Sequence, residues 1–315
     1  MNPERIDIHA HYYPREHLKL IEKRVNEIYL EGARFPTMEK LYNLELRQKE
    51  MHASKIDKQI LSVGPPGVDR LDRETAITQA RMCNDEIAQV VKKNPESFEG
   101  MAILPLQFMD DALVELDKAI NELGLKGVMI NSNINRKPLD SPEFFPFYKK
   151  AGEMDIPVHI HPTVPTCTDF QKEYGLYIVL GFLYDSSLAV LRLILSGVIS
   201  KFPQTKFILS HLGGVLPYLA QRIDDQWQSF PPFMRGTIDR PPTNYFRNIY
   251  VDTVNNFPPT YALAKQLFGT DRIMFGTDYP FLDSANCVNC VANLDFVEEE
   301  KAMMFGENAR KIFHI

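Results

Sequence analysis

The 315-residue sequence predicts a closed (β/α)8 barrel formed as one domain over residues 1–315. Three observations lead there. Short β-rich runs alternate with longer segments that are apolar at helical spacing, the pattern of βα units around a parallel sheet. Eight such runs can be marked, the number that closes a barrel, in a chain of the length one barrel takes. None of the runs is followed by GxGxxG or GxxxxGK[ST], the glycine loops that would favour the alternative, an open doubly wound sheet.

Taken in order, the expected strands are "RIDIHAH" (5–11), "KQILSVG" (58–64), "EGMAIL" (99–104), "KGVMINS" (126–132), "PVHIHP" (157–162), "KFILSH" (206–211), "NIYVDT" (248–253) and "RIMFGTD" (272–278). Residues 73–94, 110–124 and 186–202 carry apolar side chains at helical spacing and supply crossover helices. Two connections are long. Residues 12–56 follow strand one and read as a lid insertion, and the Pro- and aromatic-rich 212–247 follows strand six. Both leave the C-terminal ends of their strands, the face on which barrel enzymes build their sites.

Composition narrows the partners. A net charge of −6 without a basic stripe points away from nucleic acid and anionic membranes. The N-terminus "MNPERIDIHA" has no apolar leader, so a cytoplasmic protein is expected. The most apolar window, 175–199, is interrupted by Asp185 and Arg192 and reads as a buried loop and core helix rather than a span. Four scattered cysteines do not make a disulfide framework, and the lone "CVNC" (287–290) reads as surface or packing cysteines.

The chemistry concentrates in histidine. His9 and His11 stand two apart at the tip of strand one, a spacing that turns both side chains to one side. Alone, such a pair admits a metal clamp, a pH switch or neither. His161 ends strand five, His211 strand six and Asp278 strand eight, so barrel closure brings all five residues to one rim. Three imidazoles and a carboxylate suit a divalent transition metal. His159 lies one layer deeper and reads as a buried, hydrogen-bonded supporting histidine. His17, His52 and His314 fall in charged helical surroundings and read as surface residues.

The motifs "DIHAH", "HIHP", "FILSHLGG" and "MFGTDYP", in that order, resemble the metal-dependent amidohydrolase superfamily. The likeness covers nearly the whole chain and is to the branch typified by α-amino-β-carboxymuconate-ε-semialdehyde decarboxylase. It implies that His9, His11, His161 (the histidine directly before Pro162) and Asp278 are metal ligands and that His211 is the catalytic histidine, with Asp278 also relaying protons. Asn131 stands where a metal-bridging lysine would be, which implies one metal per chain, zinc as first choice and manganese as the alternative. Arg34, in a lid shorter than that of the type enzyme, is the nearest counterpart of its substrate-binding arginine. At the spacing of the second arginine stands Phe230, with Arg235 a few residues on. The implied activity is nonoxidative decarboxylation of a small aromatic or muconate-like carboxylic acid by a homodimer, with 229–247 as a contact. The alternative is hydrolysis of a lactone, ester or amide by a metal-activated water. A non-catalytic ligand-binding barrel ranks last.

Overall fold

The computed structural model describes residues 3–29 and 38–315. Its barrel strands are β1 Ile6–His11, β2 Lys58–Ser62, β3 Phe98–Gly100, β4 Val128–Asn131, β5 Pro157–His161, β6 Lys206–Leu209, β7 Ile249–Asp252 and β8 Ile273–Met274. Each pairs in parallel with its chain neighbour from β1 to β3 and from β4 to β8. Two seams complete the ring. Ala102 N donates to Gly127 O at 2.8 Å and Met129 N to Ala102 O at 3.0 Å, joining β3 to β4. Ile8 N donates to Phe275 O at 2.9 Å and His11 N to Tyr279 O at 2.8 Å, joining β1 to the end of β8. The sheet therefore closes as the alternation predicts, and closure pairs each of the eight barrel strands on both sides.

The crossover helices include α1 Arg15–Ile28, α2 Leu44–Ser54, α3 Arg73–Lys93, α4 Met109–Asp117, α5 Phe145–Glu153, α6 Phe182–Leu195, α7 Leu216–Ser229, α8 Pro259–Phe268 and α9 Ser284–Ala292. Sequence-local caps start several of them. Asn43, Asp72 and Asp283 each accept a backbone N–H three residues on, at 3.0, 3.0 and 2.8 Å. Their buried faces and the outer faces of the strands form the large core cluster. A second cluster fills the barrel interior with Ile8, Ile60, Met129, Ile208 and Met274, and is closed from below by Ile312 and Phe313 of α10 Asn308–Phe313.

One irregularity positions the site. The pairing of β1 with β2 slips by one residue between Asp7 and Ala10. Without a slip, Ile8 and His9 would face opposite sides of the sheet. The bulge resets the alternation, so Ile6 and Ile8 enter the inner core while His9 and His11 face the rim above it. Asp7 fixes the bulge. Its Oδ1 accepts from His9 N and Thr277 N, both at 3.0 Å, and its Oδ2 from Thr277 Oγ1 at 2.6 Å and Gln59 Nε2 at 2.9 Å.

Four expectations change in detail. Strand six stops at Leu209, and Ser210–Gly213 turns with positive φ at His211 (60°) and Leu212 (53°). Strand eight is two residues long, and Asp278 lies beyond it at φ 57°. His17 is buried rather than on the surface, bonded to Gln79 Oε1 at 2.9 Å in a niche closed by Tyr13 and Pro66. The apolar window divides: α6 buries Val190, Leu193 and Ile194, whereas Ile178, Val179 and Leu180 before it are exposed. The stretch Glu173–Leu195 is long and apolar enough to cross a membrane, and half of its most apolar window is buried in the fold.

Candidate active site

The four expected ligands meet at the C-terminal rim. His11 Nε2 lies 3.0 Å from Asp278 Oδ1 and 3.2 Å from His9 Nε2, and His9 Nε2 lies 3.3 Å from Asp278 Oδ1. His161 Nε2 is 4.0 Å from Asp278 Oδ1, and all four donor atoms fall within 4.8 Å of one another. Ligands about 2.1 Å from a common cation would be separated by roughly 3.0–3.4 Å, which is the spacing of the three tighter atoms.

The outer bonds turn lone pairs inward. His9 Nδ1–H donates to Asp252 Oδ2 at 2.7 Å, and His161 Nδ1–H donates to the carbonyl of Pro162 at 2.6 Å. The bond from Nδ1 leaves His161 with an unprotonated Nε2 facing the group and turns Nε2 of His9 toward it as well. His161 Nε2 is buried and has no hydrogen-bond partner among the described residues, a cost that a cation at the centre would remove. The residues present therefore fit a divalent metal.

Electrostatics agree. Burial pulls the imidazole of His9 down, yet Asp278 and Asp252 outweigh it and raise the pKa to about 10. The field that favours a proton there also favours a metal cation. Burial lowers His11, and it lowers His161 further with the help of its neighbouring imidazoles, so both stay neutral and able to ligate. Burial would raise Asp278, but the charge of His9, the hydrogen bond from His11 and the nearby His211 hold it well below the usual carboxylate range.

His211 stands beside the donor group rather than within it, its Nε2 3.7 Å from Asp278 Oδ2. Its backbone is held by Asp252 Oδ1, which accepts from His211 N at 2.8 Å, Val254 N at 3.0 Å and Leu212 N at 3.3 Å. This carboxylate gathers the turn that ends β6 early and lifts the ring of His211 over the rim. His159 lies deeper, as expected, bonded to Ser210 Oγ at 3.0 Å and 3.5 Å from Asp252 Oδ2.

Asp252 is the residue that reading the sequence missed. It ends a predicted strand in "YVDT", the same signal that singled out His161 and Asp278. Arg47 of α2 was missed as well. Fully buried, it donates to His11 O and to Gln59 Oε1 (3.0 Å) and stacks 4.3 Å over the Tyr279 ring. Nothing in the sequence distinguishes it from surface arginines of the same helix pattern.

Above the donors opens a pocket of about 350 Å³. His11, His161, His211 and Asp278 form its floor, and Tyr13, Tyr29, Tyr177, Phe182 and Phe281 are among its walls. Arg34 lies outside the described residues. Asn131 is engaged with Asp69 Oδ1 at 2.7 Å. Arg235 donates to its own chain at Phe230 O (2.7 Å) and Gln228 O (2.8 Å), and neither Phe230 nor Arg235 lines this pocket.

The amidohydrolase profile matches residues 6–315. The chain belongs to the amidohydrolase family. Among curated relatives of this amidohydrolase, γ-resorcylate decarboxylase of Rhizobium sp. (strain MTP-10005) is 31% identical over 99% of this chain and 95% of that protein. The 2-amino-3-carboxymuconate-6-semialdehyde decarboxylase of Dictyostelium discoideum is 28% identical over 97% and 90%. The solved 5-carboxyvanillate decarboxylase of Novosphingobium aromaticivorans, complexed with manganese and 4-hydroxy-3-methoxy-5-nitrobenzoic acid, superposes with a TM-score of 0.93 at 29% identity, covering 99% of this chain and 96% of that one.

Proposed function

We propose that this amidohydrolase is a metal-dependent nonoxidative decarboxylase, a carboxy-lyase acting on a small aromatic carboxylic acid. The observation that carries the reading is the placement of a His/Asp donor group as the floor of an aromatic-walled pocket. That floor and those walls suit a ring whose carboxylate faces the donors. The named activities of relatives aligned over nearly their full lengths favour decarboxylation over hydrolysis.

In this reading His9, His11, His161 and Asp278 hold one metal per chain. Manganese, second choice from the sequence, gains support from the manganese-bound relative, with zinc as the alternative. When bound, the metal supplies Lewis acidity and a template for substrate oxygens. The aromatic walls stack the ring and exclude water, which strengthens the charges beneath it. As the bond between ring carbon and carboxylate breaks, carbon dioxide leaves and the electron pair remains on the ring carbon. That carbon must take a proton. Asp278 and His211, 3.7 Å apart at one edge of the floor, are the groups placed to move it, Asp278, ionised at rest, relaying a proton from water to the ring carbon and His211 polarising a substrate oxygen. Arg34 is assigned to the substrate carboxylate. We further propose one domain for the chain, a homodimer with 229–247 in its contact, and a cytoplasmic location.

The test is a paired screen of manganese-loaded protein. Hydroxybenzoates should release carbon dioxide, and lactones should remain intact. Lactone hydrolysis without carbon dioxide from any aryl acid would overturn the assignment.

A further inference from the structure

Tyr29 lines the active-site pocket on one side and, on the other, a second recess of about 260 Å³. The second recess is polar, lined by Glu27, Asn26 and Thr168 together with three cations. Arg70, on the loop after β2, donates from Nη1 to Tyr29 O at 2.5 Å. Arg136 donates from Nη2 to Thr166 O at 2.8 Å. Lys172 adds a third cationic side chain to the wall.

Both guanidiniums are fixed by neutral carbonyls. Among the described residues, neither has a carboxylate within 4.0 Å. The carboxylates beside the recess, Glu27 in its wall and Asp69 behind Arg70, already have hydrogen-bond or ion-pair partners. Glu27 is paired with Arg24, and Asp69 accepts from Asn131 Nδ2 at 2.7 Å and from Asn135 N at 3.3 Å. Burial lowers the pKa of Arg70, the nearby Asp69 carboxylate partly offsets that, and the charge of Arg136 lowers it again. Arg136 and Arg70 repel each other, Asp69 offsets that repulsion only in part and from outside ion-pair distance, and a bound anion between the guanidiniums would relieve the remainder.

The backbone gives an independent sign. Arg136 sits in the two-residue loop of a hairpin that pairs Asn133–Ile134 with Lys137–Pro138. Asn135 and Arg136 have φ of 48° and 67°, a type I′ turn, whose second position favours glycine. The strained turn is tied down by Arg136 N donating to Asn133 Oδ1 at 3.0 Å. An unfavourable backbone that presents a fixed, uncompensated guanidinium to a recess is the kind of strain found at binding sites.

We propose that this recess is an oxyanion site, separate from the pocket over the donor group, that takes a carboxylate, sulfate or phosphate group between Arg70 and Arg136. Paired planar guanidiniums match the oxygens of such groups. The carboxylate could come from an aromatic acid and the tetrahedral anion from an inorganic source, so both probes are needed. The site does not depend on which reaction the floor of the neighbouring pocket performs.

Calorimetric titration of manganese-loaded protein with inorganic sulfate and, separately, with benzoate tests the proposal in the wild type, Arg70→Met and Arg136→Gly. Arg136→Gly relieves the turn and should raise the melting temperature, so lost binding cannot be ascribed to lost fold. Saturable binding of either anion that weakens at least tenfold in both variants supports the site and identifies its source. Sulfate and benzoate isotherms unchanged in both variants would overturn it.

Discussion

Asp252→Asn isolates the part of the metal centre that lies behind the donors. Asp252 Oδ1 accepts three backbone N–H groups, from His211, Leu212 and Val254, so this position must remain an oxygen. The new amide NH2 is then forced onto the Oδ2 side, where it faces His9 Nδ1 at the present 2.7 Å. Two donors cannot share that contact. His9 must offer Nδ1 as an acceptor, which leaves its proton on Nε2, the atom that faces His11 and Asp278. Metal must displace this tautomer before it can bind, and it also loses the field of a buried carboxylate. Outer partners of metal-bound histidines are worth about 10–100-fold in affinity, equivalent to roughly 1.4–2.8 kcal/mol. Competition against a fluorescent chelator should therefore show the manganese Kd weakened by that factor, with the melting temperature of the metal-free protein showing whether the β6 turn survives. A folded Asp252→Asn protein with the wild-type manganese Kd would refute both the tautomer argument and the role given to His9.

Other outcomes follow from the same geometry. His211→Gln should lower kcat by about 10²–10⁴-fold, the usual worth of a general acid or base, while elemental analysis finds unchanged metal; a parallel loss of metal would make His211 a ligand instead. Gly64→Ala would set a Cβ 2.6 Å from His11 Cε1 and 2.7 Å from its Nδ1, so it should displace that ring and weaken metal binding in the chelator assay. Arg47→Met leaves His11 O and Gln59 Oε1 without a donor, at about 1–3 kcal/mol for each buried group, and urea melts should show that loss. The carboxylates raise the His9 pKa from 6.5 to about 10, so the metal-free protein gains stability from that proton fully below pH 6.5 and loses it as pH rises through 10. Because metal must expel the same proton, manganese affinity should climb over that range, and a flat pH profile of Kd would contradict the assignment of His9.

The sequence carried the strand order and the donor set because both rest on local patterns. Apolar runs of strand length, separated by helical spacing, leave little choice of topology once eight are present. An imidazole or carboxylate at the end of such a run is rare enough to be noticed. What was not legible depends on contacts between distant segments. The capture of the His211 amide by Asp252 spans 41 residues and ends β6 two residues before the pattern does. The β1 bulge is held by Thr277, 270 residues away, and no periodicity within "RIDIHAH" announces it. His17 looks solvent-facing in "YYPREHLKL", and only the packing of α1 against Tyr13 and Gln79 buries it.

The pocket walls show where local reading could have gone further. Beyond β1 the period of two continues. His9 and His11 face the donor group, Tyr13 lines the pocket, and Tyr12 between them turns away to donate to Glu86 Oε1 at 2.8 Å. After β8 donor and wall are neighbours again, though without that period: Asp278 supplies the floor and Phe281 and Leu282 the wall. Metal donors and substrate walls are thus consecutive pieces of the same two segments, "HAHYY" and "TDYPFL". A change of wall at Tyr13 or Phe281 also acts on the backbone that aims His11 or Asp278. Tyr13 is further tied to the neighbouring loop by its hydroxyl, 3.0 Å from Pro65 O. The walls contributed by the segment before α6 (Tyr177, Ile178 and Val179) adjoin no donor. Specificity can therefore change there with least disturbance of the metal.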